Sequence, residues 1–141
     1  MRQGQCFAFG LLPMLWATTA MPQPSNAGSF DGSWGVYMAC PRTNDAAPYF
    51  KQFTASVKGA VMHGEFGVAG KPASMALDGT IRLDGSATLD AHGLTGPTQY
   101  NIGQAPEGVP FRNVVTAHFD GARGTGTWVT TRTCSFTFNR N

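Results

Sequence analysis

Charge is scarce in this 141-residue chain: ten Lys plus Arg stand against eight Asp plus Glu, only 13% of the residues. The basic residues Arg42, Lys51, Lys58, Lys71, Arg82, Arg112, Arg123, Arg132 and Arg140 are scattered, so no cationic stripe offers the footprint that nucleic acid requires. Phosphate-binding glycine loops, clustered metal-ligand spacings and a G-x-S-x-G nucleophile elbow are all missing. No cofactor is called for, and the chain does not read as an enzyme. Internal repeats are missing too, which excludes a solenoid or a propeller. Cysteine is rare, with three in the whole chain. What is plentiful is glycine, at 18 residues, together with Ser and Thr, a composition suited to strands and tight turns rather than to a helical bundle.

Arg2 followed by the apolar stretch from Cys6 to Trp16 reads as a secretory signal. That stretch is too short to span a bilayer as a helix. Small residues mark cleavage sites after Ala20 and after Ala27. The first divides the chain into a signal at 1–20, a short flexible segment at 21–28 and one domain at 29–141. The expected location is periplasmic or secreted, with no membrane span after cleavage. Loss of Arg2 and Cys6 leaves nine basic residues against eight acidic ones, and two cysteines. In an oxidising compartment Cys40 and Cys134 are expected to form one disulfide.

Period-two alternation organises the remainder. Trp34, Val36, Met38 and Cys40 share one face of a first strand, with Asp31, Ser33 and Tyr37 opposite. Trp128, Cys134, Phe136 and Phe138 share a face near the C-terminus, against Thr127, Thr131, Thr133, Ser135 and Thr137. Both cysteines lie on apolar faces, so a bond across their 94-residue separation agrees with the pattern. Between them run Phe53, Ala55 and Val57; Met62, Phe66 and Val68; Met75, Leu77, Ile81 and Leu83; Ala87, Leu89 and Ala91; and Val115, Ala117 and Phe119.

Asp84-Gly85 marks a hairpin, and Lys58-Gly59 another. Gly79 interrupts its strand and reads as a bulge or sharp bend. The segment from Gly93 to Pro110, with three prolines, carries at most a short strand near Tyr100 and Ile102. The expected fold is all-β: an antiparallel meander of seven or eight strands closed as a barrel or folded as a sandwich, its first and last strands joined by the disulfide. Closure would also remove the exposed edges.

Phe30-Asp31-Gly32-Ser33-Trp34, Leu77-Asp78-Gly79-Thr80-Ile81 and Gly124-Thr125-Gly126-Thr127-Trp128 with Cys134 resemble a broad group of small exported bacterial β-proteins of unknown function. That resemblance implies a β-fold and an envelope location. A more distant similarity is to the calycins, the lipocalin and avidin-like barrels, where a Gly-x-Trp on the first strand packs with a basic residue near the last. Gly32, Trp34 and Arg132 match that arrangement in type and order.

Arg132 shares the parity of Trp128, Cys134 and Phe136 and is expected to point inward, where a charge needs a partner or a π-face. It is read as closing the barrel by stacking on Trp34, or alternatively as binding a carboxylate at the floor of a pocket. Trp34, Arg132 and Trp128 thus form the candidate ligand-binding or core-closing cluster. Tyr37, Tyr49, Phe50 and Tyr100 are candidate surface contacts. His63 with Glu65, Asp90 with His92, and His118 fall on polar faces and are weak metal candidates, because a metal needs three or more converging groups. The function expected is non-covalent binding of a small apolar ligand or an envelope protein. A barrel-type protease inhibitor and a structural or interaction domain are the alternatives.

Overall fold

The computed structural model describes residues 17–20 and 29–141. Nearly all of the expected signal at 1–20, Cys6 included, and the short segment at 21–28 lie outside the described residues. Eight strands follow one another: β1 (Gly32–Cys40), β2 (Tyr49–Lys58), β3 (Val61–Phe66), β4 (Met75–Ile81), β5 (Ser86–Leu94), β6 (Pro110–Asp120), β7 (Arg123–Val129) and β8 (Thr133–Arg140). Each pairs antiparallel with the next, and β8 pairs with β1, so the meander closes as a barrel. Closure leaves none of the eight without a partner on either side, which removes the edges that would template aggregation.

The alternation read from the sequence is the inside–outside alternation of this barrel. Trp34, Val36, Met38 and Cys40 on β1 are buried, as are Trp128 on β7 and Cys134, Phe136 and Phe138 on β8. Cys40 and Cys134 are bonded, with Cα atoms 4.3 Å apart. In the chain-entropy account, closing a loop across 94 residues of sequence stabilises the fold by about 4 to 5 kcal/mol.

An eight-stranded barrel has an interior just wide enough for side chains to fill it or for one small ligand to enter. Here its lower part is filled. Trp34, Phe119, Phe136, Phe138, Met62, Leu77 and Leu89 are all at most 1% exposed. Inward glycines make room for the rings: a Cβ on Gly124 would stand 2.6 Å from Phe119 Cδ1.

Four local expectations are corrected. The register runs unbroken through Gly79, which pairs with Met62 on one side and Leu89 on the other, so there is no bulge. The glycine is required because a Cβ there would lie 2.6 Å from Leu89 Cδ2 and 2.7 Å from the Thr88 carbonyl oxygen. Leu83 belongs to the β4–β5 turn and Val68 to the β3–β4 connection, and both are exposed. Around Tyr100 and Ile102 there is no strand but two single 3₁₀ turns, Thr98–Tyr100 and Ile102–Gln104. Pro97 and Pro106 cannot donate to a ladder, whereas Pro110 opens β6, a strand position proline tolerates.

Candidate functional site

The antiparallel order places the two ends of the barrel under different connections. At the lower end the hairpins are tight: Gly59 and Ala60 both take positive φ, 57° and 67°, between β2 and β3. That left-handed pair matches the twist of a two-residue hairpin. Asp31 accepts hydrogen bonds from both of its amides, at 3.0 and 3.1 Å, which hold its carboxyl below the usual carboxylate range. Trp34 stands there, its indole Nε1 donating to the Phe30 carbonyl at 2.8 Å and its ring meeting Phe119 edge-on at 5.3 Å.

The cation over Trp34 is Arg140, 5.0 Å from the ring, and not Arg132 as the sequence parity suggested. The reason is register. Trp34 lies near the start of β1 and faces the end of the antiparallel β8, so Arg140 is its direct partner. Arg132 lies before β8, roughly 26 Å away along the strand at about 3.3 Å per residue. Arg140 also donates to the Ser29 carbonyl at 2.6 Å, tying the chain entering β1 to the last strand. This tryptophan and cation closing an eight-stranded barrel are compatible with a calycin-like fold.

The upper end is different. Tyr49 and Lys51 on β2, Phe66 on β3, Phe111 and Asn113 on β6 and Trp128 on β7 point toward the axis without filling it. Between them and the loop after β5 lies a cavity of about 620 Å³. The loop, residues 95–109, forms its other wall and is held by hydrogen bonds. Asn101 donates to the carbonyls of Gly96 and Ala105, and Thr95 Oγ1 donates to the Pro106 carbonyl while accepting from the Val109 amide. Asp45, in the β1–β2 connection, accepts from the Gly103 amide at 2.7 Å, and the Ala47 amide donates to the Gln99 carbonyl at 2.8 Å. Two separate loops are thereby clamped together over the barrel.

Arg132 belongs to this mouth. It is 5% exposed in the turn between β7 and β8, with its guanidinium 5.3 Å from the centre of the Tyr49 ring. One terminal nitrogen donates to the Tyr100 carbonyl at 3.1 Å, while its buried Nε has no acceptor. Tyr49 meets Tyr100 edge-on, and burial raises its phenol above the usual tyrosine range. Of the expected cluster, Arg132 and Trp128 therefore share the mouth, while Trp34 closes the far end. The aromatic quartet divides as well. Tyr49 and Tyr100 line the cavity and Phe50 reaches its rim, while Tyr37, on the outer face, stacks on the exposed Phe50 ring at 5.9 Å.

Lys51 escaped the sequence reading, although its parity with Phe53, Ala55 and Val57 marks it as inward. Its ammonium lies 4.3 Å from the Phe66 ring centre and donates to the Ala73 carbonyl at 2.9 Å. Burial pushes its pKa below the usual lysine range.

The histidine pairs turn out to be one array on the outer face. His63 bonds to Asp78 and lies 3.4 Å from Glu65; His92 lies 4.0 Å from Asp78 and 3.4 Å from Asp90; Arg112 lies 3.3 Å from Asp90. Asp78 is the link the sequence did not reveal, because it joins the pairs only through the β3–β4–β5 register. Register sets Asp78 directly opposite Asp90, an unfavourable like-charge pairing relieved by Arg112 beside Asp90 and by the His63 hydrogen bond to Asp78. The Asp78 hydrogen bond holds His63 above the usual histidine range. Among the described residues no three His, Cys, Asp or Glu side chains converge as a metal cage. His118 stands apart, opposite Ser86 near the lower end. A second cavity, of about 650 Å³, adjoins the array between Phe66, Leu94 and Phe111.

Compared with family models, with curated proteins and with solved structures, the chain finds no match, so the likeness to exported bacterial β-proteins rests on its short motifs and the calycin likeness on the barrel and its Trp34 closure.

Proposed function

We propose that this chain is an exported binding module of the cell envelope that takes a small apolar ligand non-covalently at the mouth of its barrel. The observation that carries the reading is the cavity of about 620 Å³, walled by Tyr49, Phe66, Phe111 and Trp128. Its size falls within the roughly 300–1,000 Å³ of small-molecule sites, and its make-up, aromatic walls with a few polar groups, is theirs too. The disulfide and the apolar stretch near the N-terminus support an oxidising location outside the cytoplasm.

Titrating the signal-free protein with the neutral fluorophore N-phenyl-1-naphthylamine tests the reading. Saturable 1:1 enhancement, weakened by Trp128→Ala and unaffected by Tyr37→Ala, is the expected result. Absence of saturable binding would remove the ligand site. The filled lower barrel and the exposed Tyr37–Phe50 stack would then favour a structural or interaction domain that works through its surface.

A further inference from the structure

The mouth cavity is apolar in its walls and one-sided in its charge. Lys51 and Arg132 both line it, and no Asp or Glu does. The ion pairs among the described residues lie on the outer face of the barrel and involve neither cation. Asp45 is close enough to Arg132 to feel its charge, but the two make no ion pair, and the Asp45 oxygens accept instead from the Gly103 amide and the Thr43 hydroxyl. Arg132 is 5% exposed and keeps a buried Nε without an acceptor. Lys51 has one carbonyl and the Phe66 ring for company. The Tyr49 ring joins the two, with its centre 5.6 Å from the ammonium and 5.3 Å from the guanidinium.

Taking a cation out of water is costly unless an opposite charge or a full set of hydrogen bonds replaces the solvent. Carbonyl and π contacts offset part of that cost, and the unused Nε leaves part of it open. A guanidinium with a free donor is geometrically suited to a carboxylate, which can accept from two nitrogens at once.

Building on the mouth as a ligand site, we infer that its ligand is an amphiphilic acid: an apolar body against Phe66, Phe111 and Trp128, with a carboxylate between Arg132 and Lys51. The carboxylate would supply the charge compensation that these two residues lack and fix which end of the ligand enters first. Neutral apolar molecules of the same length would fill the same walls and leave the cations uncompensated.

A matched pair of probes separates the head group from the apolar body. Dodecanoate and dodecan-1-ol are each used to displace N-phenyl-1-naphthylamine from the signal-free, disulfide-bonded protein at neutral pH. The inference requires dodecanoate to bind roughly ten- to a hundredfold more tightly than dodecanol, the span of one or two hydrogen bonds to a charged group. Lys51→Met should lower the preference for dodecanoate over dodecanol several-fold, and Arg132→Gln should remove most of what remains. Should Arg132→Gln fail to fold, Lys51→Met and the probe pair on the unaltered protein still decide. Equal affinity for acid and alcohol would overturn the carboxylate assignment while leaving the apolar site standing. Failure of the fluorophore to bind at all would overturn the site, and the assignment with it.

Discussion

The two ends of the barrel are made by the same eight strands and are about equally rich in aromatic rings, yet one is filled and the other holds a cavity. At the filled end, the two-residue turn at Gly59-Ala60 and the close β4–β5 and β6–β7 hairpins draw the strand ends together. Trp34, Phe119 and Phe138 then interlock, with ring centres 5.3 and 4.8 Å apart, and Arg140 covers the indole. At the mouth, the β1–β2, β3–β4 and β5–β6 connections are longer, and they wall a space instead of closing it. Connection length, more than side-chain type, separates core from candidate site. A tight turn leaves no backbone to arch over the axis, whereas a longer loop must satisfy its own polar groups and holds itself off the barrel by doing so.

The bond joins β1 and β8 at the mouth end, so the mouth depends on the covalent link more than the floor does. Replacing Cys40 and Cys134 together by Ala should cost about 4 to 5 kcal/mol in chemical denaturation. Amide exchange should rise first in residues flanking Tyr49 and Arg132, and a uniform rise along all strands would break the comparison. Trp34→Ala should come next, at about 3 to 5 kcal/mol, because the surroundings cannot collapse onto a fully enclosed indole site. Trp128→Ala should cost clearly less, since one side of that ring borders open space. Equal losses measured by urea unfolding would mean that the two ends are equally packed.

Gly124→Ala probes the floor from the other direction. Its new Cβ would press on Phe119 Cδ1 from 2.6 Å, and overpacking of this kind costs about 1 to 3 kcal/mol. The matching change at Gly103, where nothing lies within 4 Å, would feel only its positive φ of 66° and should leave the floor intact.

The smallest effect concerns pH. Lys51 has a folded pKa lowered by burial from 10.5, so the unfolded chain binds more protons, and its share of stability rises with pH through the window between the folded pKa and 10.5. Tyr49 works against it at the alkaline end, because a raised phenol pKa means stability lost above 10.0. Comparing the unaltered protein with Lys51→Met cancels the Tyr49 contribution. The variant should be the more stable at neutral pH, and the gap should narrow as pH climbs toward 10.5. A gap independent of pH would show that Lys51 is fully hydrated, and the charge contrast between mouth and outer face would weaken.

Much of this architecture was legible beforehand. Strict alternation in Trp34–Cys40 and Cys134–Phe138 announced strands with one buried face, and two cysteines on those faces announced the staple that joins them. Gly79 was misread because a glycine inside a strand looks alike whether it bulges or makes room for a neighbour's side chain. Only the pairing with Leu89 distinguishes the two cases. Arg132 was placed over Trp34, where Arg140 sits, for a related reason. Parity tells which side of a sheet a residue faces, but not how far along the barrel it sits.

The sequence alone therefore determined strand number to within one, the inside and outside of each strand, and the disulfide, because these follow from a two-residue period and from chemistry carried by single residues. Tertiary structure decided which cation met which ring, that Asp78 would link two histidine pairs, and that Lys51 and Arg132 would face one cavity without an acidic partner. Those outcomes depend on register and loop path, which arise when distant strands meet and which no local pattern encodes.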